Sequence, residues 1–410
     1  MRSHRLADAQ HTATNLHTVS DAPATGGERS ATLRTRRRRR RLRLVVAAVL
    51  VVAFAVPAWS FTRTVVLRSN GDPFSAKATE WARDHGLSWV VDHTESFWYS
   101  RHQPRVGGVP KGGIPRVAAA GRAAPVRHRS ALPVRPVCPA GIVPIAAAPL
   151  PGEGVWQRAG RPNGDVCFAY LRPDAIHTSV IAGVAWMDMH HLAATLHNGT
   201  SVPGSGPWRA GPSIAVSDYR HVVAAFNGGF RLDASRGGYY TEGRTVRPLV
   251  AGRASLVIYS DGRVHVGMWG RDDASGPAVA SVRQNLDLLV DHGQPVAGLN
   301  DANSKQWGTT LGNKIYTWRS GVGVDAKGNL VYVGGPGLNV GTLAAILQRA
   351  GCVRAMELDI NPEWVSLMVY SGSSPQTITA TKLLTDMQRP ADRYLQSGSR
   401  DFVELDATHR

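Results

Sequence analysis

Two carboxyl groups stand on one face of an apolar stretch, residues 355–360, whose side chains alternate as in a β-strand. Glu357 and Asp359 lie on one face, and Met356 and Leu358 lie on the face expected to enter the core. Neighbouring carboxyls can divide into an acid and a base, because each negative charge raises the pKa of the other. Binding of a hard cation, ion pairing with arginines and exposure to solvent are alternatives that the sequence leaves open.

A second candidate is the end of the apolar run VVAAFNGGF at residues 222–230. Asn227, Gly228 and Gly229 follow what is predicted to be a buried strand. Two glycines allow the backbone to turn sharply and to bring its N–H groups close to a ligand. The Asn227 amide has the donor and the acceptor that suit a sugar hydroxyl or a phosphate oxygen. A plain turn explains the same residues, so both interpretations stay open.

A third candidate is Arg319, a single arginine in an otherwise apolar stretch. The planar guanidinium group binds phosphate or carboxylate through two parallel hydrogen bonds. An ion pair with Glu357 or Asp359 is the structural alternative, and the sequence favours neither.

Metal and cofactor motifs are weak or absent in the sequence. The adjacent His190 and His191 would point to opposite faces of a strand, so they could not chelate one ion together. The sequence lacks the CxxC, HExxH, GxSxG and Walker-type motifs of the commoner zinc, serine-hydrolase and nucleotide sites. We expect no cofactor, and the sequence leaves open whether a metal ion binds.

The segments that must position these residues alternate short strands with turns throughout residues 151–410. Hairpins are predicted at residues 254–269, around an Asp-Gly turn, and at residues 314–333. A helix is predicted over residues 340–350, after a candidate cap at Asn339. Together these patterns predict an α+β fold with a largely antiparallel mixed sheet and a few helices.

The amino-terminal region predicts a membrane anchor. Residues 44–61 carry no charge and are long enough to cross a hydrocarbon core of about 30 Å as a helix. Eight arginines among residues 34–43 precede them, and such clusters stay in the cytoplasm. We therefore expect a disordered basic cytoplasmic tail over residues 1–43 and a single transmembrane helix over residues 44–62, with the main domain extracytoplasmic at the cell membrane. A cleaved signal peptide is the alternative.

Residues 63–150 are predicted to be a juxtamembrane segment followed by an extended linker rich in Pro, Gly and Arg. Within the segment, residues 74–82 have the apolar spacing of a short helix, and residues 88–99 resemble an aromatic strand. The linker leads to one main domain over residues 151–410.

The formal net charge of +17 lies mostly outside the main domain. Residues 151–410 contain 24 Lys and Arg against 22 Asp and Glu, so no nucleic acid is expected as a partner. The basic excess near the membrane can contact anionic lipid or acidic wall polymers instead.

Three cysteines in the chain exclude a scaffold built on disulfides. Export would allow one disulfide, for which Cys138 and Cys167 are the favoured pair. Cys352 lies in an apolar stretch and is predicted to be a buried thiol.

Four motifs follow one another in the second half of the chain. They are NGGF at 227–230, RSGVGVDAKGNLVYV at 319–333, GTLAAILQRAG at 341–351 and VRAMELD at 353–359. In this order they resemble the phosphodiester glycosidase family. The resemblance implies an α+β domain that hydrolyses the glycosidic bond of a sugar linked through a phosphodiester, releasing the sugar and leaving a phosphomonoester.

The resemblance also implies roles for individual residues. The NGG turn of the family falls on three residues: Asn227, Gly228 and Gly229. Together with Arg319 they are expected to hold the phosphate. The aspartate of the family's LDGGGS motif falls on Asp359, which is expected, aided by Glu357, to act on the water or on the developing oxocarbenium charge.

The sequence departs from the family directly after Asp359, where three glycines and a serine are replaced by Ile-Asn-Pro-Glu-Trp. Trp364 can stack on a sugar ring and Glu363 can supply a catalytic group, which would mean a changed substrate. The expected function is hydrolysis of phosphodiester-linked sugars in phosphate-containing glycans or wall polymers of the envelope. The alternative is a non-catalytic envelope module that binds polysaccharide and has lost the GGGS loop.

Overall fold

The computed structural model describes residues 26–68, 70–91, 93–94, 103–117, 138–161, 165–300, 303–308 and 315–408. The chain forms two compact units, residues 1–63 and residues 64–410. The described residues between 64 and 150, which were predicted to be a juxtamembrane segment and linker, therefore belong to the second unit.

The first unit contains helix α1, Gly26–Phe61. Residues 26–43, inside the tail predicted to be disordered, are therefore helical, and residues 1–25 lie outside the described residues. Among the described residues, one helical stretch is long and apolar enough to cross a membrane: Arg37–Val66, in which an 18-residue window has a mean hydropathy of 2.5. Such a stretch is consistent with a single-pass anchor and with a signal sequence.

Helices of the second unit include α2 (Phe74–Asp84), α3 (Ser304–Trp307) and α4 (Val340–Arg349). Helix α2 confirms the short helix predicted before Gly86. The strand predicted over residues 88–99 is wrong over residues 88–91 and 93–94, which are helical, and the remainder of it lies outside the described residues.

Helix α4 begins and ends where the sequence predicts. The Asn339 side chain accepts a hydrogen bond from Thr342 N (2.7 Å), and Asn339 N donates to Thr342 Oγ1 (2.9 Å), which satisfies amides that have no partner inside the helix. After the helix, Gly351 has a φ of 95°, a left-handed conformation that glycine adopts without strain.

The strands of the described part follow in chain order. They are β1 (Gln157–Ala159), β2 (Val166–Leu171), β3 (Ala182–Met187), β4 (Leu192–His197), β5 (Val222–Asn227), β6 (Tyr239–Thr241), β7 (Arg244–Arg247), β8 (Ala254–Tyr259), β9 (Val264–Met268), β10 (Val279–Gln284), β11 (Leu288–Asp291), β12 (Gln294–Pro295), β13 (Thr317–Asp325), β14 (Leu330–Leu338), β15 (Cys352–Glu357), β16 (Leu367–Ser371), β17 (Thr379–Lys382) and β18 (Phe402–Ala407).

These strands form three sheets, and the paired strands run antiparallel. The large sheet has the order β1-β2-β3-β14-β13-β15-β11-β12. The two smaller sheets have the orders β7-β6-β10-β8-β9 and β17-β16-β5-β18-β4. The predicted hairpins are β8–β9 and β13–β14, and the fold is α+β, as predicted.

Side chains of the large sheet alternate between two cores. In β14, Leu330 and Tyr332 enter a core shared by all three sheets, whereas Val331 and Val333 enter a core covered by α4. The central strands are buried on both faces, so their sequences are continuous apolar runs rather than alternating ones. Packing on both faces holds the ends of β13 and β15 in place.

The cysteines have the predicted arrangement. Cys138 and Cys167 form a disulfide with a Cα–Cα distance of 6.0 Å, and Cys352 is a buried thiol. The strand context assumed for His190 and His191 is wrong, because both lie in the turn between β3 and β4.

Candidate functional site

The predicted motifs meet where the three sheets come together. Arg319 lies in β13, Glu357 ends β15, and Ser320 N donates to the Asp359 carbonyl oxygen (2.8 Å), so the pairing of these strands continues past β15. Asn227 ends β5 of a different sheet, and its Nδ2 donates to Ser320 Oγ (3.1 Å). The end of β5 is therefore attached to the strand that carries Arg319.

Arg319 and Glu357 form an ion pair, with Nη1 and Oε1 2.6 Å apart. Both residues are fully buried, and Arg319 Nε also donates to the Leu338 carbonyl oxygen (3.1 Å). A buried carboxylate requires such a partner, since desolvation of a lone charge is costly. Of the two interpretations of Arg319, the structure shows the ion pair with Glu357.

The Asn227 amide is hydrogen-bonded to the protein on both sides. Its Oδ1 accepts from Tyr332 Oη (2.8 Å) and Ser366 N (3.1 Å), and its Nδ2 donates to Ser320 Oγ and to the Gly228 carbonyl oxygen. Only 2 % of the residue is exposed. Asn227 therefore connects strands of two sheets.

Gly228 and Gly229 allow a buried ion pair to approach the backbone. Arg283 Nε lies 2.7 Å from Asp401 Oδ2, and both side chains are buried. A Cβ atom on Gly228 would overlap the Asp401 carboxylate, and one on Gly229 would lie 3.2 Å from Arg283 Cζ. Packing therefore excludes a side chain at Gly228, whereas a side chain at Gly229 would require its neighbours to shift by a few tenths of an ångström.

Asp359 is a buried carboxyl at the end of the paired region, with 4 % of the residue exposed. Its Oδ1 accepts hydrogen bonds from Ile360 N (2.8 Å) and Asn361 N (3.1 Å). Its Oδ2 lies 3.1 Å from Arg400 Nη2. Burial raises the pKa of Asp359 to about 6, although Arg400 and the two amides act in the opposite direction. Asp359 can therefore exchange a proton near neutral pH.

The loop that replaces the three glycines is tightly turned. Asn361 Oδ1 accepts from Glu363 N (2.8 Å), and Trp364 N donates to the Asn361 carbonyl oxygen (2.9 Å). Glu363 is partly exposed, and its Oε1 accepts from Ser75 Oγ of α2 (3.0 Å). The structure therefore brings Glu363 next to α2.

Trp364 is buried, with 6 % of the residue exposed. Three guanidinium groups lie close to its ring centroid: those of Arg389 (5.1 Å), Arg393 (5.3 Å) and Arg400 (4.9 Å). The ring predicted to stack on a sugar contacts these cations in the structure.

Neither Arg400, which contacts Asp359, nor Arg231 is among the site residues predicted from the sequence. Arg400 Nη2 donates to the Gly229 carbonyl oxygen (3.2 Å) as well as to Asp359, so one side chain joins the NGG turn to the predicted catalytic carboxyl. Arg231 follows the NGGF motif directly, and that adjacency was a usable signal. For Arg400 the sequence offered none, because 41 residues separate it from Asp359.

The described part of the chain contains no group of three or more His, Cys, Asp or Glu side chains arranged to hold a metal ion. His191 Nδ1 lies 3.5 Å from Asp188 Oδ2 and 3.8 Å from Asp165 Oδ1, a contact between one histidine and two carboxyls.

Comparison with known proteins gives one family match and several structural likenesses. Residues 220–359 match the family model described as phosphodiester glycosidase. No curated protein matches the chain significantly in sequence.

Three solved structures are similar in part. The catalytic domain of zebrafish N-acetylglucosamine-1-phosphodiester alpha-N-acetylglucosaminidase has 14% identity and a TM-score of 0.38, over 62% of this chain and 88% of that one. A protein from Synechocystis has 12% identity and a TM-score of 0.31, over 56% and 59%. A protein from Burkholderia pseudomallei has 13% identity and a TM-score of 0.32, over 55% and 74%.

The matched segment includes the NGG turn, Arg319 and Asp359, and so covers the motifs on which the resemblance was based. Over residues 220–359 the chain is therefore similar to the phosphodiester glycosidase family.

Proposed function

We propose that this chain hydrolyses the glycosidic bond of sugars linked through a phosphodiester, with Asp359 as the catalytic residue. The substrates are envelope polymers, and the domain acts outside the cytoplasm, attached to the membrane by residues 44–62. The family match over residues 220–359 supports the class of reaction. The alternative of a binding module without catalysis remains an outcome of the test below.

The observation that carries this proposal is the position of Asp359. Its carboxyl lies next to the NGG turn, to which Arg400 joins it through hydrogen bonds to Asp359 Oδ2 and the Gly229 carbonyl oxygen. Burial raises the pKa of this carboxyl to about 6, a value that suits proton transfer near neutral pH. A carboxyl with these properties at a family motif is a candidate for acid–base chemistry.

The proposed reaction requires one activated water. Ionised Asp359 accepts a proton from the water, whose oxygen attacks the anomeric carbon of the sugar. The bond between that carbon and the phosphate oxygen breaks, and its electron pair leaves with the phosphomonoester. The negative charge of Asp359 also stabilises the oxocarbenium character of the transition state.

Glu357 and Arg319 act in this proposal through position. Glu357 ends β15 two residues before Asp359. Its buried ion pair with Arg319 joins this strand end to the beginning of β13. A fixed strand end holds the Asp359 carboxyl within the narrow range of geometry that catalysis needs.

Two features support a location outside the cytoplasm. The first is the apolar helical stretch Arg37–Val66, which begins within a cluster of arginines. The second is the disulfide between Cys138 and Cys167, because disulfides persist mainly in oxidising compartments.

The test is turnover by the purified full-length chain in detergent, with an N-acetylglucosamine phosphodiester as model substrate. We expect release of the sugar, and a loss of at least about 100-fold in kcat/KM for Asp359→Asn, in line with removal of a general base. Asp165→Asn is the matched control, because Asp165 is also a buried carboxyl but contacts His191 instead. That variant should keep its activity.

Sugar release that survives in Asp359→Asn would overturn the assignment of Asp359. An intact protein that binds the polymer but releases no sugar would overturn the enzymatic proposal in favour of the binding module.

A further inference from the structure

Arginines are concentrated around Trp364 to a degree that ordinary packing does not require. The guanidinium groups of Arg389 and Arg400 lie 5.1 and 4.9 Å from the centroid of the Trp364 ring, and the exposed fractions of these residues are 1 % and 6 %. Arg393 lies on the same ring. Several buried cations so close together repel one another, so the arrangement requires anions.

Some donors of these arginines have no hydrogen-bond partner among the described residues. They are Nε and Nη1 of Arg389 and Nε of Arg400, all buried. Burial, and then the charge of Arg393, lower the pKa of Arg389, which indicates that the present environment does not fully compensate its charge. A buried donor without a partner is costly, and here the donors belong to charged groups.

Besides Asp359, which pairs with Arg400, the anions that face these arginines include two carboxylates from a short segment that contains α2. One oxygen of the Glu80 carboxylate pairs with Arg231 Nη1, and the other lies 3.2 Å from Arg400 Nη1. The Asp72 carboxylate pairs with Arg389. Glu80 thus joins two guanidinium groups through its two oxygens.

We propose that Arg231, Arg389 and Arg400 form the binding site for the phosphodiester of the substrate, and that Glu80 and Asp72 occupy this site as carboxylates of the same chain. The inference rests on the proposed function, since it names the residues that hold the phosphate beside Asp359. A phosphodiester presents two unbridged oxygens with one negative charge, which the bridging carboxylate of Glu80 resembles in charge and in the number of its acceptors.

This site differs from the one expected from the motifs. Arg319, expected to hold phosphate, pairs with Glu357 in the interior, whereas Arg400 contacts Asp359 directly. Arg389 and Arg400 lie beyond the segment that matches the family model, which ends at residue 359.

Competition between the ligand and Glu80 follows from the shared site. A phosphate must displace the Glu80 carboxylate before it can contact both Arg231 and Arg400. Removal of the Glu80 charge should therefore strengthen binding, whereas removal of an arginine charge should weaken it.

The experiment measures the affinity of the full-length chain for the N-acetylglucosamine phosphodiester and for dimethyl phosphate by calorimetry at pH 7. We expect Glu80→Gln to bind both ligands about tenfold more tightly, equal to about 1.4 kcal/mol. We expect Arg231→Gln and Arg389→Gln to bind both at least about tenfold more weakly. Arg263→Gln is the control, because Arg263 pairs with Asp261 on an exposed hairpin turn, and its affinity should equal that of the unmodified chain.

Thermal unfolding of each variant shows whether it is folded. Glu80→Gln keeps all the arginines and is expected to strengthen binding, a result that damage to the fold would not produce. An unchanged or weaker affinity in folded Glu80→Gln would overturn the proposal. So would an unchanged affinity in folded Arg231→Gln and Arg389→Gln.

Failure of this inference and failure of the proposed function give different results. Sugar release that depends on Asp359, with affinities unchanged in these variants, overturns the phosphate site alone. The expected changes in affinity without any sugar release support the phosphate site and overturn the enzymatic function.

Discussion

Arg400 Nη2 lies 3.1 Å from Asp359 Oδ2, and this contact joins residues 41 positions apart in the chain. The same nitrogen donates to the Gly229 carbonyl oxygen. Arg400 thereby connects the NGG turn with Asp359, although the two follow strands of different sheets. Its positive charge moderates a carboxyl whose burial would otherwise favour the protonated form still more strongly.

The raised pKa of Asp359 predicts the pH dependence of activity. Burial raises this pKa to about 6, and the proposed base must be ionised to accept a proton. We expect kcat/KM to rise as the pH increases through about 6 and to level off above it, measured with the N-acetylglucosamine phosphodiester. Asp165→Asn should keep this profile. Activity that falls as the pH rises through 6 would contradict a role as base and would assign Asp359 as an acid.

Arg319 and Glu357 form a buried pair, so we expect their substitutions to have strongly non-additive effects on the free energy of unfolding. Glu357→Leu removes the carboxylate that pairs with the buried Arg319 guanidinium group, so the free energy of unfolding should fall by about 3–5 kcal/mol. The double variant Arg319→Met with Glu357→Leu removes both charges, and it should lose much less. Urea unfolding measures both values.

Equal losses in the single and the double variant would contradict this account. That result would show that the pair contributes through shape rather than through charge.

A side chain introduced at Gly228 should disturb the packing next to the site. A Cβ atom at this position would overlap the Asp401 carboxylate, so Gly228→Ala should displace the Arg283–Asp401 pair and lower the free energy of unfolding by about 1–3 kcal/mol. The matched control is Gly276→Ala, where a Cβ atom would meet no heavy atom within 4 Å. A loss no larger than in the control would show that the pair can move aside without cost.

Local patterns in the sequence were sufficient to predict several elements. The Asp-Gly turn predicted the β8–β9 hairpin, and the apolar face after Asn339 predicted α4 with its cap. Both depend on interactions within a few residues, which the chain specifies wherever it folds. The segment 220–359 was recognisable for the same reason, since its motifs are contiguous.

The predicted strand after α2 shows where local patterns are insufficient. Residues 88–91 combine Ser and Trp with two valines, a composition typical of a strand, yet they are helical. Strand propensity depends on a neighbouring strand with which to pair, and a short sequence does not reveal whether one is present.

What the sequence determined by itself was the class of the protein: an apolar amino-terminal helix, an antiparallel α+β fold and the motifs of a glycosidase family. Tertiary structure alone decided which charges meet. It placed Arg319 against Glu357 in the interior and assigned Arg400, from outside the matched segment, to Asp359. Side chains distant in sequence become neighbours only when the three sheets pack together, and each buried charge is then compensated by whatever opposite charge lies within a few ångströms.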